Sequence, residues 1–158
     1  MADKDIRQRI RRVVDLGKQI YIFTTVDEEN RPRSRYMGTL DITDDYAVFY
    51  LATQQSSRKV KQIGANPNAQ LLFVTPDYLE TVTISGKAHL ESLEDMKHDM
   101  WAKNPMLAGY FSSVEDPEYA LIRFESEFAE YINLNETRGV ADIVPWLSQP
   151  VEQKTEKG

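Results

Sequence analysis

One stretch of the sequence, residues 81–91, reads TVTISGKAHLE and alternates apolar and polar side chains. This period of two is typical of a β-strand with one buried face and one exposed face. Gly86 interrupts the pattern in mid-strand, where a glycine favours a β-bulge or a sharp bend in a barrel. The stretch therefore predicts a bent strand whose buried face carries Val82, Ile84, Ala88 and Leu90.

Around this strand, the chain consists of further short strands with few helices. Several segments have β-branched or aromatic runs bounded by polar turns, and three have the spacing of amphipathic helices. Six or more antiparallel strands joined by short turns indicate a mainly β fold, a small barrel with helical insertions. We expect one domain over residues 1–145 and a partly disordered tail over residues 146–158. The predicted strands are residues 20–26, 33–41, 47–53, 69–75, 81–91 and 119–134, and the predicted helices are residues 5–17, 56–64 and 92–103.

The composition is that of an ordinary folded chain. Its 158 residues are 41% hydrophobic and 28% charged, the balance of a globular domain. No stretch approaches the roughly 20 apolar residues of a membrane helix, and the charged N-terminus lacks the apolar core of a secretory signal. Cysteine is absent, which excludes disulfides, and His89 and His98 lack the spacing of a metal site. We expect a cytoplasmic protein with no metal and no membrane partner.

Charge separates the classes of ligand. The 19 basic and 25 acidic residues give a net charge of −6 at pH 7, whereas nucleic-acid-binding proteins usually carry a basic excess. Arg58, Lys59 and Lys61 nevertheless form a basic island, with no acidic residue between Asp45 and Asp77. An acidic protein with one compact basic island favours a small anionic ligand over a nucleic acid.

The basic island lies where a strand is followed by a helix. Residues 53–59, TQQSSRK, place hydroxyl groups at the expected helix start and cations in the first turn. Free N–H groups and the helix dipole make such a start suitable for a phosphate, whereas the dipole disfavours Arg58 and Lys59 by roughly 0.3–1 kcal/mol each. A bound phosphate would reverse that penalty. In the alternative interpretation, Ser56 or Ser57 only caps the helix and both cations face water.

A second group of cations lies on the strand predicted over residues 33–41. Its alternation places Arg33, Arg35 and Met37 on one face. Arginine on a strand of a small barrel usually protects an exposed edge. A binding role requires Arg35 to converge on the basic island, which the linear sequence leaves open.

Four segments occur in an order that is typical of one family. Residues 31–38 read RPRSRYMG, residues 53–59 are followed by Ile63 and Asn66-Pro67, and residues 81–88 contain a Gly-Lys step. In this order they resemble the flavin-facing strand, the phosphate-binding segment and a later strand of the pyridoxamine 5'-phosphate oxidase-like, FMN-binding split-barrel proteins. Residues 100–119 resemble the general stress protein branch of that family, and the whole resemblance covers about residues 5–134.

The resemblance implies a homodimer of split β-barrels with two FMN molecules in clefts between the subunits. Carried over by position, Arg35 and Met37 would contact the flavin from their strand, and Thr53 would lie near its ring or ribityl chain. The expected function is that of a flavin-dependent oxidoreductase of unknown substrate, with NADH or NADPH as the candidate electron donor. The residues that would hold the phosphate are Ser57, Arg58 and Lys59.

Two departures from the family pattern narrow this function. The true oxidase carries a C-terminal Trp and Arg that bind the pyridoxal substrate, and Arg138 and Trp146 show no such pattern. Oxidation of pyridoxamine phosphate is therefore not expected. Related stress proteins often carry a Trp after a Glu-Tyr pair, whereas Ile132 follows Glu130-Tyr131 here, so one aromatic contact to the flavin is expected to be missing.

Two other functions stay open, and no side chain stands out as a catalytic acid or base. The same barrel could hold flavin or another phosphorylated ligand as a sensor or store, and similar barrels hold deazaflavin or haem. A structural or nucleic-acid-associated protein could instead use the N-terminal helix, with Arg7, Arg9, Arg11 and Arg12. A charged helix face turned to water, opposite an apolar face packed on the barrel, is the favoured interpretation of that helix.

Overall fold

The structure of the protein is a computed structural model that describes residues 3–136 and 141–145. These residues form three α-helices, one 3₁₀ helix and eight strands. The helices are α1 (Asp3–Gly17), α2 (Arg58–Ala65) and α3 (Glu94–Lys103), and the 3₁₀ helix is Pro105–Gly109. The strands are β1 (Tyr21–Val26), β2 (Pro32–Met37), β3 (Asp41–Ile42), β4 (Val48–Gln54), β5 (Asn68–Val74), β6 (Glu80–Leu90), β7 (Tyr119–Asn133) and β8 (Ala141–Pro145).

The strands form one antiparallel sheet that bends around an apolar core. Its hydrogen-bonded order is β2-β1-β5-β6-β7-β4-β3, and β8 pairs with β7. In the part of the chain that the structure describes, no ladder joins β2 to β3, so the barrel is split between these two edges. The predicted mainly β split barrel with six or more antiparallel strands is confirmed.

β6 contains the alternating stretch and follows the predicted pattern over most of its length. Val82, Ile84 and Ala88 are buried, whereas Leu90, predicted on the same face, is 38% exposed, so the prediction is wrong at the end of the strand. The register with β7 shifts between Ser85 and Gly86. A bulge at this step is therefore confirmed, but its extra residue, Glu127, lies in β7 and not in β6. A Cβ atom at Gly86 would lie 1.9 Å from a backbone carbonyl oxygen of β7, so only glycine fits this close approach between the two strands.

Helices close the two ends of the barrel. β6 begins beside α1, where Glu80 accepts a hydrogen bond from Arg12. It ends beside α2, where the N–H of Ala88 donates to the carbonyl of Pro67 at 2.8 Å. Apolar side chains of both helices join the core between the strands, because each helix turns one apolar face inward. These side chains are Ile6, Ile10, Val13 and Val14 of α1 and Ile63 of α2.

The sequence predicts that the charged face of α1 is turned to water, and Arg12 is exposed as expected, but both Arg12 and the half-buried Arg9 also form ion pairs that the sequence does not show. Arg12 donates to the Glu80 carboxylate at 2.6 Å, and Arg9 forms an ion pair with Glu136. Arg9 also contacts the hydroxyl of Tyr131, which in turn donates to Glu80 at 2.7 Å. The partners lie 68 to 127 residues away along the chain, so no local pattern could show them.

The strand predicted over residues 33–41 ends as β2 at Met37. A Cβ atom at Gly38 would lie 2.9 Å from the carbonyl oxygen of Gln19, and the N–H of Leu40 bonds instead to Tyr50 of β4. The chain therefore leaves one edge of the split and reaches the other within a few residues.

Part of the predicted C-terminal region cannot be compared with the structure. Arg138 and Trp146, together with residues 146–158, lie outside the described residues. Among the helices of the described residues, none has the length and apolar character needed to cross a membrane.

Candidate functional site

The predicted phosphate segment lies where β4 ends and α2 begins. Ser57 is the N-cap residue of α2 with an extended backbone, but its side chain makes no capping hydrogen bond. Its first turn contains no acidic residue. The hydroxyl of Ser56 donates to Glu118 at 2.6 Å, which ties the turn to the segment before β7. Neither serine therefore has a side-chain capping bond to α2, whereas Arg58 is exposed, as the alternative of solvated cations expects.

Thr53, Ser57 and Lys59 form a connected polar cluster at the start of α2. The ammonium of Lys59 donates to the Thr53 hydroxyl at 2.8 Å, and the hydroxyl oxygens of Thr53 and Ser57 lie 3.3 Å apart. Thr53 is buried and Lys59 is half-buried, whereas Arg58 is exposed. Burial lowers the pKa of Lys59 below its ordinary value, and the positive charge of Arg35 lowers it further. The hydrogen-bond partner of the Lys59 ammonium is thus a neutral hydroxyl.

Arg35 reaches this cluster from β2, an edge strand of the split. Its guanidinium donates to the carbonyl of Phe23 at 3.1 Å, to the hydroxyl of Thr25 at 2.9 Å and to the side-chain oxygen of Gln62 at 3.2 Å. All three acceptors are uncharged. Burial lowers the pKa of Arg35, and the positive charge of Arg58 adds to this effect.

Three cations from two distant parts of the sequence therefore lie close together. The positive charge of Arg58 lowers the pKa of Arg35, and the positive charge of Arg35 lowers the pKa of Lys59. Within residues 3–136 and 141–145, none of the three forms an ion pair, whereas the nearby Arg33 binds Asp27 at 2.7 Å. Like charges that are partly removed from water destabilise one another unless an anion joins them. The arrangement is suited to a small anion with a charge near −2.

The structure thus brings together five of the six predicted site residues, while Met37 lies slightly apart. Met37 is half-buried and packs against the barrel core, two residues after Arg35 on the same face of β2. Thr25 and Gln62 are both buried and both bind Arg35, and neither is predicted from the sequence. No local pattern could have found Gln62, because its partners lie on β1 and β2, far away in the sequence.

A groove lies on the outer face of the sheet, away from the three cations. This groove has a volume of about 460 Å³ and contains Lys87, the lysine of the Gly-Lys step. The Lys87 ammonium contacts Asn68 and lies 3.8 Å from the carboxylate of Glu127. No predicted site residue lines the groove, so the unpaired cations belong to the end of the barrel and not to this face.

The sequence also matches a family model over almost its whole length. Residues 7–155 match the family described as pyridoxamine 5'-phosphate oxidase like. The chain belongs to this family. The matched residues include β2, the end of β4 and α2, and so contain the entire cation cluster. No curated protein matches the chain.

Three solved structures share the fold of this family member. A Clostridium acetobutylicum protein related to general stress protein 26 of B. subtilis has a TM-score of 0.76 at 20% identity, over 91% of this chain and 96% of that one. General stress protein 26 from Bacillus anthracis has a TM-score of 0.68 at 24% identity, over 89% and 98%. A pyridoxamine 5'-phosphate oxidase-related, FMN binding protein from Nostoc punctiforme has a TM-score of 0.68 at 16% identity, over 92% and 97%.

Proposed function

We propose that the protein binds FMN at the start of α2, with the phosphate held between β2 and the β4–α2 turn. The observation that carries this proposal is that Arg35, Arg58 and Lys59 lie close together and that none of them forms an ion pair with a carboxylate of the described residues. A phosphate ester near −2 would supply the missing counter-charge. The family match and the FMN binding protein from Nostoc punctiforme support the choice of a flavin phosphate.

Each residue of the cluster has a distinct expected role. Arg35 and Lys59 are half-buried and would bind the phosphate in a partly dry environment, where charge-assisted hydrogen bonds are strong. Arg58 is exposed and would cover the phosphate from the solvent side. The hydroxyl of Ser57 is free of a capping role and can donate to the ligand, while Thr53 would orient the ribityl chain and Met37 would border the ring.

We further propose that the protein is a homodimer and acts in redox chemistry on an unknown substrate. The flavin would supply the electron transfer, and the protein would anchor, orient and shield it. Tyr36 lies on the face of β2 opposite Arg35 and is 72% exposed, and such a large exposed aromatic side chain on an edge strand supports a second subunit covering it. NADH or NADPH is the proposed electron donor, and no catalytic residue is assigned.

The absorption spectrum of the purified protein tests the proposal directly. We expect a yellow protein that releases FMN on denaturation, or an apoprotein that takes up one FMN per chain with higher affinity than riboflavin. The preference for FMN follows because riboflavin lacks the phosphate that the three cations would bind. A colourless protein that does not take up added FMN would contradict the proposed function.

A non-enzymatic flavin sensor or store is the second candidate. The observation that favours it is that none of the three cations forms an ion pair within the described residues, while the carboxylate bonded to the same turn, Glu118, accepts from Ser56. Anaerobic addition of NADH or NADPH separates the two functions. Bleaching of bound FMN followed by recovery with an electron acceptor supports the enzyme, whereas a flavin that is never reduced supports the binding protein.

A further inference from the structure

Gln62 is a polar side chain in an unusual position for a short surface helix. It lies in the second turn of α2 and is only 3% exposed. Its side-chain oxygen accepts two hydrogen bonds, from the Thr25 hydroxyl at 2.6 Å and from the Arg35 guanidinium at 3.2 Å. A buried amide generally needs such partners, so the side chain has one defined orientation, directed at β1 and β2.

The partner of Arg35 differs in charge from the partners of other arginines in the same protein. Arg33, two residues earlier on β2, binds the carboxylate of Asp27 at 2.7 Å, and Arg12 binds that of Glu80 at 2.6 Å. Arg35 is offered an amide oxygen of almost the same shape as a carboxylate oxygen, but without its charge. The amide fixes the guanidinium and leaves its positive charge available to another partner.

We propose that Gln62 is a positioning residue of the anion site, which holds Arg35 toward the start of α2 without neutralising it. This inference rests on the proposed binding of a phosphate ester at that site. It assigns to one short helix both the cations of its first turn and the residue that orients the third cation from β2. The selectivity of the site for a phosphorylated ligand then depends on residue 62 being uncharged.

The test compares Gln62→Glu with Gln62→Met in the full-length protein, with FMN as the probe. Gln62→Glu keeps the shape and the acceptor but introduces a charge beside Arg35, so FMN should bind about tenfold to a hundredfold more weakly. Gln62→Met removes the acceptor but leaves all three cations charged, so the loss should be smaller, about threefold to tenfold. A purely structural role of Gln62 requires the opposite order.

Two further readouts separate charge from folding. Riboflavin, which has no phosphate, should bind Gln62→Glu and the unchanged protein equally, and Gln8→Glu, the same substitution at an exposed position of α1, should leave FMN binding unchanged.

The possible failures are distinguishable. If the unchanged protein binds FMN no better than riboflavin and does not bind inorganic phosphate, the proposed phosphate site itself is wrong. If the unchanged protein prefers FMN but Gln62→Glu binds it as tightly, the site stands and the role of Gln62 is wrong. A larger loss of FMN affinity in Gln62→Met than in Gln62→Glu would also overturn the inference. Thermal unfolding of both variants shows whether each is folded when it is measured.

Discussion

Both ends of the barrel contain arginines, but the arginines at one end are paired with carboxylates and those at the other end are not. At the α1 end, Arg9 and Arg12 are paired with Glu136 and Glu80. At the α2 end, Arg35 and its two neighbours on α2 have no carboxylate partner within the described residues. The paired arginines bind a helix to the barrel, whereas the cations without a carboxylate partner can bind an anionic ligand. The difference therefore separates a structural contact from a binding site.

The α1 end shows how complete such pairing can be. Glu80 is buried and accepts hydrogen bonds from Arg12 and Tyr131, and the amide of Asn133 donates to the Tyr131 hydroxyl at 3.1 Å. Burial alone would raise the pKa of Glu80, but the hydrogen bonds and the charge of Arg12 outweigh it and lower the pKa below its ordinary value. Arg12 thus stabilises the charged form of Glu80, the carboxylate with which it forms its ion pair.

The largest expected effect comes from removing cations at each end in turn. Arg58→Ala combined with Lys59→Ala should weaken FMN binding at least about a hundredfold, because two charge-assisted contacts to the phosphate are lost. Arg9→Ala combined with Arg12→Ala should change FMN affinity less than about twofold, because distant sites act independently. Isothermal titration calorimetry with FMN measures the dissociation constant of both double variants and of the unchanged protein.

Lys61→Ala, an exposed position on the same helix, is the matched control for loss of positive charge alone. Equal FMN affinity in the two double variants would mean that the phosphate does not bind at the α2 end.

A smaller effect is expected when the acidic partner at the α1 end is removed. Glu80→Ala leaves Arg12 without its partner and removes the acceptor of the buried Tyr131 hydroxyl, so the free energy of unfolding should fall by about 1–3 kcal/mol. FMN affinity should stay the same. Urea denaturation at pH 7 measures the first quantity, and an unchanged midpoint would show that the contact contributes nothing to stability.

The smallest expected effect is on the pH dependence of stability. Because the pKa of Glu80 is lowered in the folded protein from its ordinary value of 4.5, its contribution is complete above that value. It is lost as the pH falls through the lower, folded-state pKa. Glu80→Gln should therefore show a shallower decrease in the free energy of unfolding between neutral and acidic pH. Urea denaturation of the unchanged protein and of Glu80→Gln at several pH values measures this decrease. An equal loss of stability in the two proteins would contradict the prediction.

Much of the fold could be predicted from local patterns. The alternation of residues 81–91 and its glycine gave β6 and the position of the bulge beside it, and the hydroxyl-rich turn before two cations gave the start of α2. These features depend on neighbours in the chain, which a sequence displays directly. The proximity of Arg35 to α2 was expected only from the resemblance to a family, because it joins segments more than 20 residues apart.

The remaining features depend on contacts that no local pattern contains. Gln62 lies among polar residues of α2 and would be taken as exposed, yet it is buried because β1 and β2 pack over it. Arg12 and Glu80 are likewise ordinary surface residues by type, and only the docking of α1 on β6 pairs them. Which cations are neutralised is therefore decided by tertiary structure, and composition alone cannot reveal it.

The missing side chain at Gly86 controls more than a bend. β6 alternates without interruption from Glu80 to Ala88, since the extra residue of the irregular step, Glu127, lies in β7 next to the close approach at Gly86. If a methyl group at that step forced the strand to slip by a single residue, inward and outward positions would exchange beyond it. Lys87 would then turn from the outer groove into the apolar interior, and Ala88 would turn out into water.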